Sequence, residues 1–241
     1  MLKLQSPRAE EVVGNSKRIK KAIADVFSYF KKVDNTFSTY KPQSEISRIK
    51  KGILKKEDYS TDMKKVLILS GQMKTKTNGY FDIYGPNGLD PSGLVKGWAI
   101  QNAAEILNTL GFKNYFIEAG GDIQLKGKSQ SNKPWKVGIR DPFNKKLIVK
   151  ILEMTKGAVA TSGNYERGKH IYNPHTQKTT NEIASITVVG PNIINADVFA
   201  TASFAMGPKG IEFIQKIPDY EGYQINNNKQ AIMTNGFAKY T

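Results

Sequence analysis

The sequence predicts an α+β fold in a single domain, with a largely antiparallel sheet flanked by helices. Three observations favour this class. The first half of the chain has apolar residues at helical spacing, the stretch after Gly111 alternates with period two, and an apolar helical run returns near residue 197. Because helices and strands occupy separate stretches and do not alternate, a doubly wound parallel sheet is disfavoured.

The length and composition indicate one domain. The 241 residues contain no Pro/Ser-rich linker, low-complexity tract or repeat, and 39% hydrophobic residues can supply a core. We therefore assign residues 1–241 to one domain. No element is recognisable in residues 1–16, which we expect to be a poorly structured or truncated N-terminus.

The helical patterns lie mainly in the first half of the chain. Ser44 is placed to cap a short helix, and Gly111 is placed as the C-terminal cap of the clearest one. The predicted helices cover residues 17–33, 44–49, 61–76 and 94–110.

The second half of the chain carries the strand patterns. Gly120 and Gly121 mark a tight turn between the first two strands. A helix around Asp197, a short helix at 208–216 and two short C-terminal strands complete the pattern. The predicted strands cover residues 115–119, 122–126, 135–140, 147–153, 158–162 and 186–189.

The charge balance is strongly basic, with 36 Lys and Arg against 21 Asp and Glu and a net charge of +15. Most of the cations are Lys, scattered singly or in pairs, whereas base readout in nucleic acids favours Arg. We interpret them as a solvated surface and expect no nucleic-acid partner.

The absence of Cys excludes disulfides and thiolate metal sites. No apolar run approaches the roughly 18–20 residues of a membrane span, so no membrane insertion is expected. The first residues, MLKLQSPRAEE, lack an apolar signal-peptide centre, and we expect a cytoplasmic protein; the alternative is the trimmed form of an exported one.

Asp197 and Thr201 interrupt the otherwise apolar run NADVFATASFAMG. On a helix, side chains four residues apart share a face, and a buried carboxylate needs a partner. A cation would satisfy both oxygens, and an all-oxygen set favours Mg²⁺ over zinc. The alternative is an Asp that complements the dipole of its own helix.

The segment DPSGLVKGW begins the clearest helix at Asp90. Free N–H groups at a helix N-terminus and the Lys96 cation suit a phosphate, and Gly93 and Gly97 would let a ligand approach the backbone. The alternative is a turn capped by Asp90 and Ser92. The spacing of Gly, Lys and Ser excludes a P-loop.

Two further segments contain polar groups suited to chemistry. EAGGD has an acid on each side of its Gly-Gly turn, and its simpler interpretation is an ordinary hairpin. ATSGNYERGKHIYNPHT contains both histidines of the chain, His170 and His175. A His near a phosphate site could act as a general base, or it could be structural. The absence of a nucleophile-elbow motif disfavours a serine hydrolase.

Eight segments in order resemble the ApbE family of FAD:protein FMN transferases. Any one of these segments is weak, but eight in the right order are highly specific. They are FSTYKPQSEISRI (37–49), NGYFDI (78–83), DPSGLVKGWAI (90–100), EAGGDI (118–123), WKVGIRDP (135–142), ATSGNYER (160–167), HIYNPHT (170–176) and ADVFATA (196–202).

The resemblance implies an α+β fold and an enzyme that binds FAD and Mg²⁺. Such an enzyme attaches FMN through a phosphoester to a Thr or Ser of a target flavoprotein with an FMN-binding domain and releases AMP. The alternative implied by the family is a Mg²⁺-dependent FAD pyrophosphatase that yields FMN and AMP.

The resemblance also implies roles for individual residues. His170 corresponds to the catalytic His. The metal positions correspond to Asp197, Thr201 and the main-chain oxygen of Gly93. The FAD-binding positions correspond to Tyr40, Phe81, Asp82, Ile83, Asp90, Lys96 and Ile171.

Overall fold

The computed structural model of the chain describes residues 11–12, 16–86, 88–164 and 171–241. Six α-helices occur in these ranges, with short 3₁₀ helices at Lys56–Asp58, Gly207–Lys209 and Phe237–Tyr240. The α-helices are α1 (Ser16–Phe37), α2 (Glu45–Lys50), α3 (Thr61–Lys76), α4 (Ser92–Thr109), α5 (Ile193–Ala205) and α6 (Gly210–Gln215).

The strands of the described ranges form one large sheet and three two-stranded hairpins. They are β1 (Glu11–Val12), β2 (Tyr84–Gly85), β3 (Gly88–Leu89), β4 (Tyr115–Ala119), β5 (Asp122–Lys126), β6 (Trp135–Arg140), β7 (Ile148–Met154), β8 (Lys156–Gly163), β9 (Tyr172–Asn173), β10 (Lys178–Thr179), β11 (Ile183–Gly190), β12 (Glu221–Asn226) and β13 (Ala231–Met233).

The large sheet has the strand order β1-β4-β5-β8-β11-β12-β13, and all its neighbours are antiparallel. Gly120 and Gly121 join β4 to β5 with positive φ angles of 60° and 89°. Two successive positive φ angles are what a tight two-residue hairpin requires, so glycine suits both positions. The turn sets the register that pairs Ala119 with Asp122.

The large sheet is buried on both faces, and alternate residues of each strand contribute to different cores. Ala158 and Ala160 of β8 face the helices in the larger core, whereas Val159 faces the β6–β7 hairpin. The molecule therefore has three layers: helices, large sheet and hairpin. Side chains on the helical face of the sheet, such as Gln124 and Ser162, can reach α5.

The structure confirms the α+β fold and most predicted elements. Residues 61–76, 115–119, 122–126 and 135–140 agree with their predicted bounds, and the other predicted helices and strands shift by a few residues at their ends. Ser44 caps α2 by accepting from the N–H of Ser47. The pattern did not predict the two-residue strands of the β2–β3 and β9–β10 hairpins, because such short strands carry no measurable period.

Glu11 and Val12 form the edge strand β1, which pairs with β4. These two residues lie inside the N-terminal stretch for which the sequence predicted no element. None of the helices in the described ranges is long and apolar enough to cross a bilayer.

Candidate active site

A cleft of about 470 Å³ lies on the helical side of the large sheet, between the β2–β3 and β9–β10 hairpins. Its wall includes the start of α4 and the face of α5 that carries Asp197 and Thr201. Most of the site residues predicted from the sequence line this cleft. They are Phe81, Asp82, Ile83, Asp90, Gly93, Lys96, Ile171, Asp197 and Thr201.

The Asp197 carboxylate is buried and has its partners on other elements. Its Oδ2 accepts a hydrogen bond from the main-chain N–H of Gly97 at 3.1 Å. Its Oδ1 lies 3.5 Å from the Lys96 ammonium nitrogen. Both of these partners belong to α4. The N–H groups at the N-terminus of α5, its own helix, do not bind this carboxylate, because Asp197 lies beyond the first turn of α5. The helix-dipole interpretation of Asp197 is therefore wrong.

Asp122 brings a second carboxylate to the same place. Its Oδ2 lies 2.6 Å from the Lys96 nitrogen, and its side chain is 1% exposed. Its Oδ1 accepts a hydrogen bond from the N–H of Thr161 at 3.3 Å. When both carboxylates are ionised, Asp122 and Asp197 carry two negative charges against the one positive charge of Lys96, which leaves room for a further cation.

Burial raises the pKa of Asp197 well above its ordinary value, and the neighbouring Asp122 carboxylate raises it further. The Lys96 ammonium and the Gly97 N–H oppose this shift in pKa. Desolvation and a like charge both disfavour the ionised form, whereas a bound cation favours it. The electrostatics of the cluster thus fit a metal ion held by ionised carboxylates.

Gly97 allows α4 and α5 to approach closely. A Cβ at this position would lie 2.9 Å from the carbonyl oxygen of Ile193 and 3.2 Å from the Cβ of Asp197. The sequence suggested that Gly97 lets a ligand approach the backbone. In the structure, the atoms that lie close to Gly97 belong to α5. This close approach is what places the Gly97 N–H against Asp197. Gly93 does line the cleft.

Thr201 lies one helical turn after Asp197 and also lines the cleft, as the four-residue spacing predicts. Its Oγ1 lies 3.4 Å from the Oγ of Ser162 on β8. Hydroxyl and carboxylate oxygens therefore converge where α5 crosses the sheet. No group of three or more His, Cys, Asp or Glu residues suited to a metal occurs in the described ranges.

Asp90 fixes the turn that leads into α4. Its side chain accepts a hydrogen bond from the N–H of Ser92 at 3.0 Å and lines the cleft. The sequence offered a turn capped by Asp90 and Ser92 as the simpler interpretation. Asp90 does cap the turn, but Ser92 is the first residue of α4 and Pro91 occupies the N-cap position. The start of α4 faces the cleft and offers the N–H groups that bind anions.

Phe81, Ile83 and Ile171 are buried and form the apolar part of the cleft wall. Asp82 pairs with Lys74 at 2.7 Å and accepts from the N–H of Tyr84. Tyr40 is 68% exposed and is not among the described residues that line the cleft. The cleft therefore combines apolar side chains with charged groups in one wall.

A second depression of about 520 Å³ lies between α1 and α2. Surface side chains such as Lys31, Gln43 and Arg48 line it. It is more open to solvent than the cleft, and the buried carboxylates Asp122 and Asp197 lie elsewhere. We therefore place the candidate active site in the cleft.

The sequence model of the ApbE family matches residues 8–87 and 84–223 of this chain. This chain belongs to the ApbE family.

Curated relatives of this ApbE-family chain include the FAD:protein FMN transferases of Vibrio cholerae and Haemophilus influenzae. The first is 34% identical over 129 residues, which are 49% of this chain and 39% of the relative. The second is 32% identical over 140 residues, which are 53% of this chain and 40% of the relative. The chain thus spans about two fifths of the length of these relatives.

Solved ApbE structures share the fold. The flavin transferase ApbE from Vibrio cholerae superimposes with a TM-score of 0.81 at 22% identity, covering 95% of this chain and 92% of that one. The ApbE protein from Thermotoga maritima gives a TM-score of 0.84 at 20% identity, covering 95% and 94%. At this level of identity the likeness supports the fold alone.

Of the two histidines in this ApbE-family chain, the structure describes only His175. His170 lies outside the described residues. The Nε2 of His175 lies 3.0 Å from the carbonyl oxygen of Asn78, and its ring meets that of Tyr80 edge to face at 4.5 Å. His175 therefore fastens the β9–β10 hairpin to the turn after α3, which is a structural role.

Sequence reasoning missed Asp122 and Gln124 as parts of the site. Gln124 accepts from the N–H of Ile193 at the start of α5 and donates to the carbonyl of Gly157, so it joins α5 to the sheet. The acid that follows Gly120-Gly121 in the sequence pointed to Asp122. Nothing in the sequence indicated its contact with Lys96, because the two residues are distant in the chain.

Proposed function

We propose that this chain is a Mg²⁺-dependent FAD:protein FMN transferase. It transfers FMN from FAD to the hydroxyl of a Thr or Ser of a target flavoprotein with an FMN-binding domain and releases AMP. The observation that carries the proposal is the convergence, in an ApbE-family chain, of the α4 N-terminus, Lys96 and Asp197 on one cleft. The relatives named FAD:protein FMN transferase support the same activity.

The donors present fit Mg²⁺. Asp197, Thr201 and the main-chain oxygen of Gly93 would hold the ion, and hard oxygen ligands are those that Mg²⁺ prefers. The Gly93 carbonyl oxygen has two lone pairs, so it can accept the helical hydrogen bond of its own turn and still bind a ligand with the second. When bound, Mg²⁺ supplies charge neutralisation at the phosphate oxygens of FAD.

The cleft offers both kinds of surroundings that FAD needs. The apolar side chains of Phe81, Ile83 and Ile171 suit the flavin ring, and the start of α4 suits the diphosphate. Lys96 lies within 3.5 Å of both carboxylates. Asp90, Asp82 and Tyr40 are the remaining positions that we assign to FAD binding.

The reaction exchanges one phosphorus–oxygen bond for another. The acceptor hydroxyl oxygen bonds to the FMN phosphorus, the anhydride bond to the AMP phosphate breaks, and AMP leaves with the bridging oxygen. We assign the removal of the hydroxyl proton to His170 as general base. This residue directly precedes Ile171, which lines the cleft.

The testing experiment is one chromatographic assay. The chain is incubated with FAD and Mg²⁺, with and without an FMN-binding domain that carries an acceptor Thr, and AMP, FMN and labelled domain are quantified. We expect AMP to appear with the acceptor, in equal amount to the labelled domain. Equal AMP and free FMN without an acceptor would instead identify a FAD pyrophosphatase, and intact FAD would overturn both activities.

The two histidines supply a matched pair of variants. We expect His170→Asn to lower the transfer rate by about 10² to 10⁴, since it removes the general base. His175→Asn removes the contact to Asn78 and should lower stability, with less than a roughly tenfold effect on the rate. Equal losses in the two variants would contradict the assignment of His170.

A further inference from the structure

The tip of the β6–β7 hairpin is apolar on its outer side. Strand alternation already buries one side of this hairpin, with Trp135 and Leu152, against the large sheet. A hairpin on a surface ordinarily carries polar residues on its other side. Here five large apolar side chains, each 38–53% exposed, form what we name the tip patch: Phe143, Leu147, Ile148, Val149 and Ile151.

The local geometry keeps the tip patch continuous across both strands. Gly138 of β6 has no side chain on the outer face, and a Cβ there would lie 2.9 Å from the Cδ1 of Ile148. Ile148 therefore extends over β6, and Ile151 pairs with the same Gly138 in the ladder. A register shift between Ile139 and Arg140 bends this end of the hairpin. Ile148 and Ile151 thus lie over the same part of β6, and the exposed Leu147 and Val149 flank Ile148 in the chain.

Cations are concentrated in the same end of the hairpin as the tip patch. Arg140, Lys145, Lys146 and Lys150 belong to the same hairpin, and Asp141 is the acid among residues 140–150. Asp141 is engaged in the loop, where its side chain accepts from the N–H of Phe143. Lys229 of the β12–β13 turn places its nitrogen 5.6 Å from the centre of the Phe143 ring. Residues 140–150 thus carry a formal charge of +3, and Lys229 adds a further cation beside Phe143.

We propose that the tip patch docks this protein on the surface of an anionic lipid bilayer. Exposed apolar side chains insert between the headgroups, while Lys and Arg lie along the patch and reach anionic phosphates. Apolar insertion and a basic rim are the two signals that stable peripheral binding requires. A second copy of this chain fits less well, because it would bring the same Lys residues face to face.

The position of the tip patch is compatible with the cleft. The hairpin covers one face of the large sheet, and the cleft lies on the helical face. Docking through the hairpin therefore leaves the cleft open to FAD and to an acceptor. Interfacial binding requires no membrane span, and the helices of the described ranges contain none.

The experiment is vesicle sedimentation of the whole chain. Vesicles of phosphatidylglycerol and phosphatidylcholine in equal amounts are compared with phosphatidylcholine alone, at low and high salt. We expect binding to the anionic vesicles that weakens with salt. Ile151→Ser and the double variant Lys145→Gln/Lys146→Gln should each weaken it by about tenfold or more.

Matched controls separate the tip patch from a general effect of charge. Ile68→Ser changes an isoleucine that is 65% exposed on α3, and Lys55→Gln/Lys56→Gln removes two adjacent exposed lysines near α3. Both controls should bind vesicles as the unchanged chain does. Circular dichroism and thermal unfolding check that every variant folds.

Three outcomes would overturn the proposal. The first is no preference for anionic vesicles, and the second is an equal loss of binding in the Lys55/Lys56 and Lys145/Lys146 variants. The third is a dimer in solution that Ile151→Ser converts to a monomer without any binding to vesicles, which would make a second copy the occupant of the patch. None of these outcomes bears on FMN transfer, which is assayed separately without lipid.

Discussion

The buried Asp197 carboxylate illustrates how single residues set the chemistry of the cleft. Burial and Asp122 both raise its pKa, while Lys96 and the Gly97 N–H lower it. The first two effects prevail, so the ionised form is disfavoured unless a cation joins the cluster. A group in this state gives the metal-free protein a stability that depends on pH.

We predict the direction of that dependence for the metal-free chain. Because the pKa of Asp197 is raised to about 8 in the folded state, the folded state holds more protons than the unfolded state between about pH 4 and pH 8. The free energy of unfolding should therefore fall with rising pH, by up to about 1.4 kcal/mol per pH unit for one carboxyl. Asp197→Asn should remove this contribution, as urea unfolding across pH in EDTA would detect. Parallel pH profiles of the two proteins would contradict the assignment.

We expect Asp122 to affect binding of the proposed Mg²⁺ ion indirectly, through its contact with Lys96. Asp122→Asn removes a charge 2.6 Å from Lys96 but keeps an oxygen for the Thr161 N–H. We expect Mg²⁺ affinity, measured by titration calorimetry, to fall by about tenfold to a hundredfold. Asp25→Asn makes the same charge change on the surface of α1, where Asp25 pairs with Lys21. An equal loss in both variants would indicate an effect of net charge alone.

At the level of elements, the α4–α5 contact builds the candidate active site. α4 brings Gly93, Lys96 and the Gly97 N–H, and α5 brings Asp197 and Thr201. Gln124 attaches the start of α5 to the sheet. The distance between the two helices is set by the absence of a side chain at Gly97, so one added methyl group should disturb the site and the fold together.

Gly97→Ala tests this contact directly. Its Cβ would lie 2.9 Å from the carbonyl oxygen of Ile193, and overpacking of this kind costs about 1–3 kcal/mol of unfolding free energy. Mg²⁺ affinity should fall as well, because Asp197 moves with α5. Gly71→Ala is the control, since Gly71 lies within α3 and has nothing within 4 Å of an added Cβ. It should leave stability unchanged or raise it by up to about 1 kcal/mol.

At the level of the whole molecule, the large sheet separates two hydrophobic cores, and in the described part of the chain only one of them borders the cleft. The core on the helical face includes the walls of the cleft, and the core under the β6–β7 hairpin has no described residue in the cleft lining. Damage to the second core should therefore lower stability without changing the chemistry of the molecules that remain folded.

Leu152→Ala provides the corresponding measurement. Leu152 is 0% exposed between the hairpin and the sheet, so its truncation should cost about 2–5 kcal/mol of unfolding free energy. The KM for FAD and the rate per folded molecule should stay unchanged. Ile151→Ala, at the exposed neighbour in the same strand, should cost about 0.5 kcal/mol or less. A raised KM in Leu152→Ala would show that the two cores are coupled.

The sequence by itself determined the α+β class, the long helices, the central strands and the pairing of Asp197 with Thr201 on one helical face. These features depend on local periodicity and on spacing within one element, which the order of residues carries directly. The eight ordered segments also predicted the family that the comparisons confirm.

Only the tertiary structure decided what meets Asp197. The partners Lys96, Gly97 and Asp122 are about 75 to 100 positions away in the chain, and no local pattern encodes such a contact. The structure likewise decided that Gly97 makes room for α5 and not for a ligand. It also decided that the β6–β7 hairpin buries one face and exposes apolar side chains at its tip. Periodicity predicts which side of an element is apolar, but the fold determines which neighbour covers it.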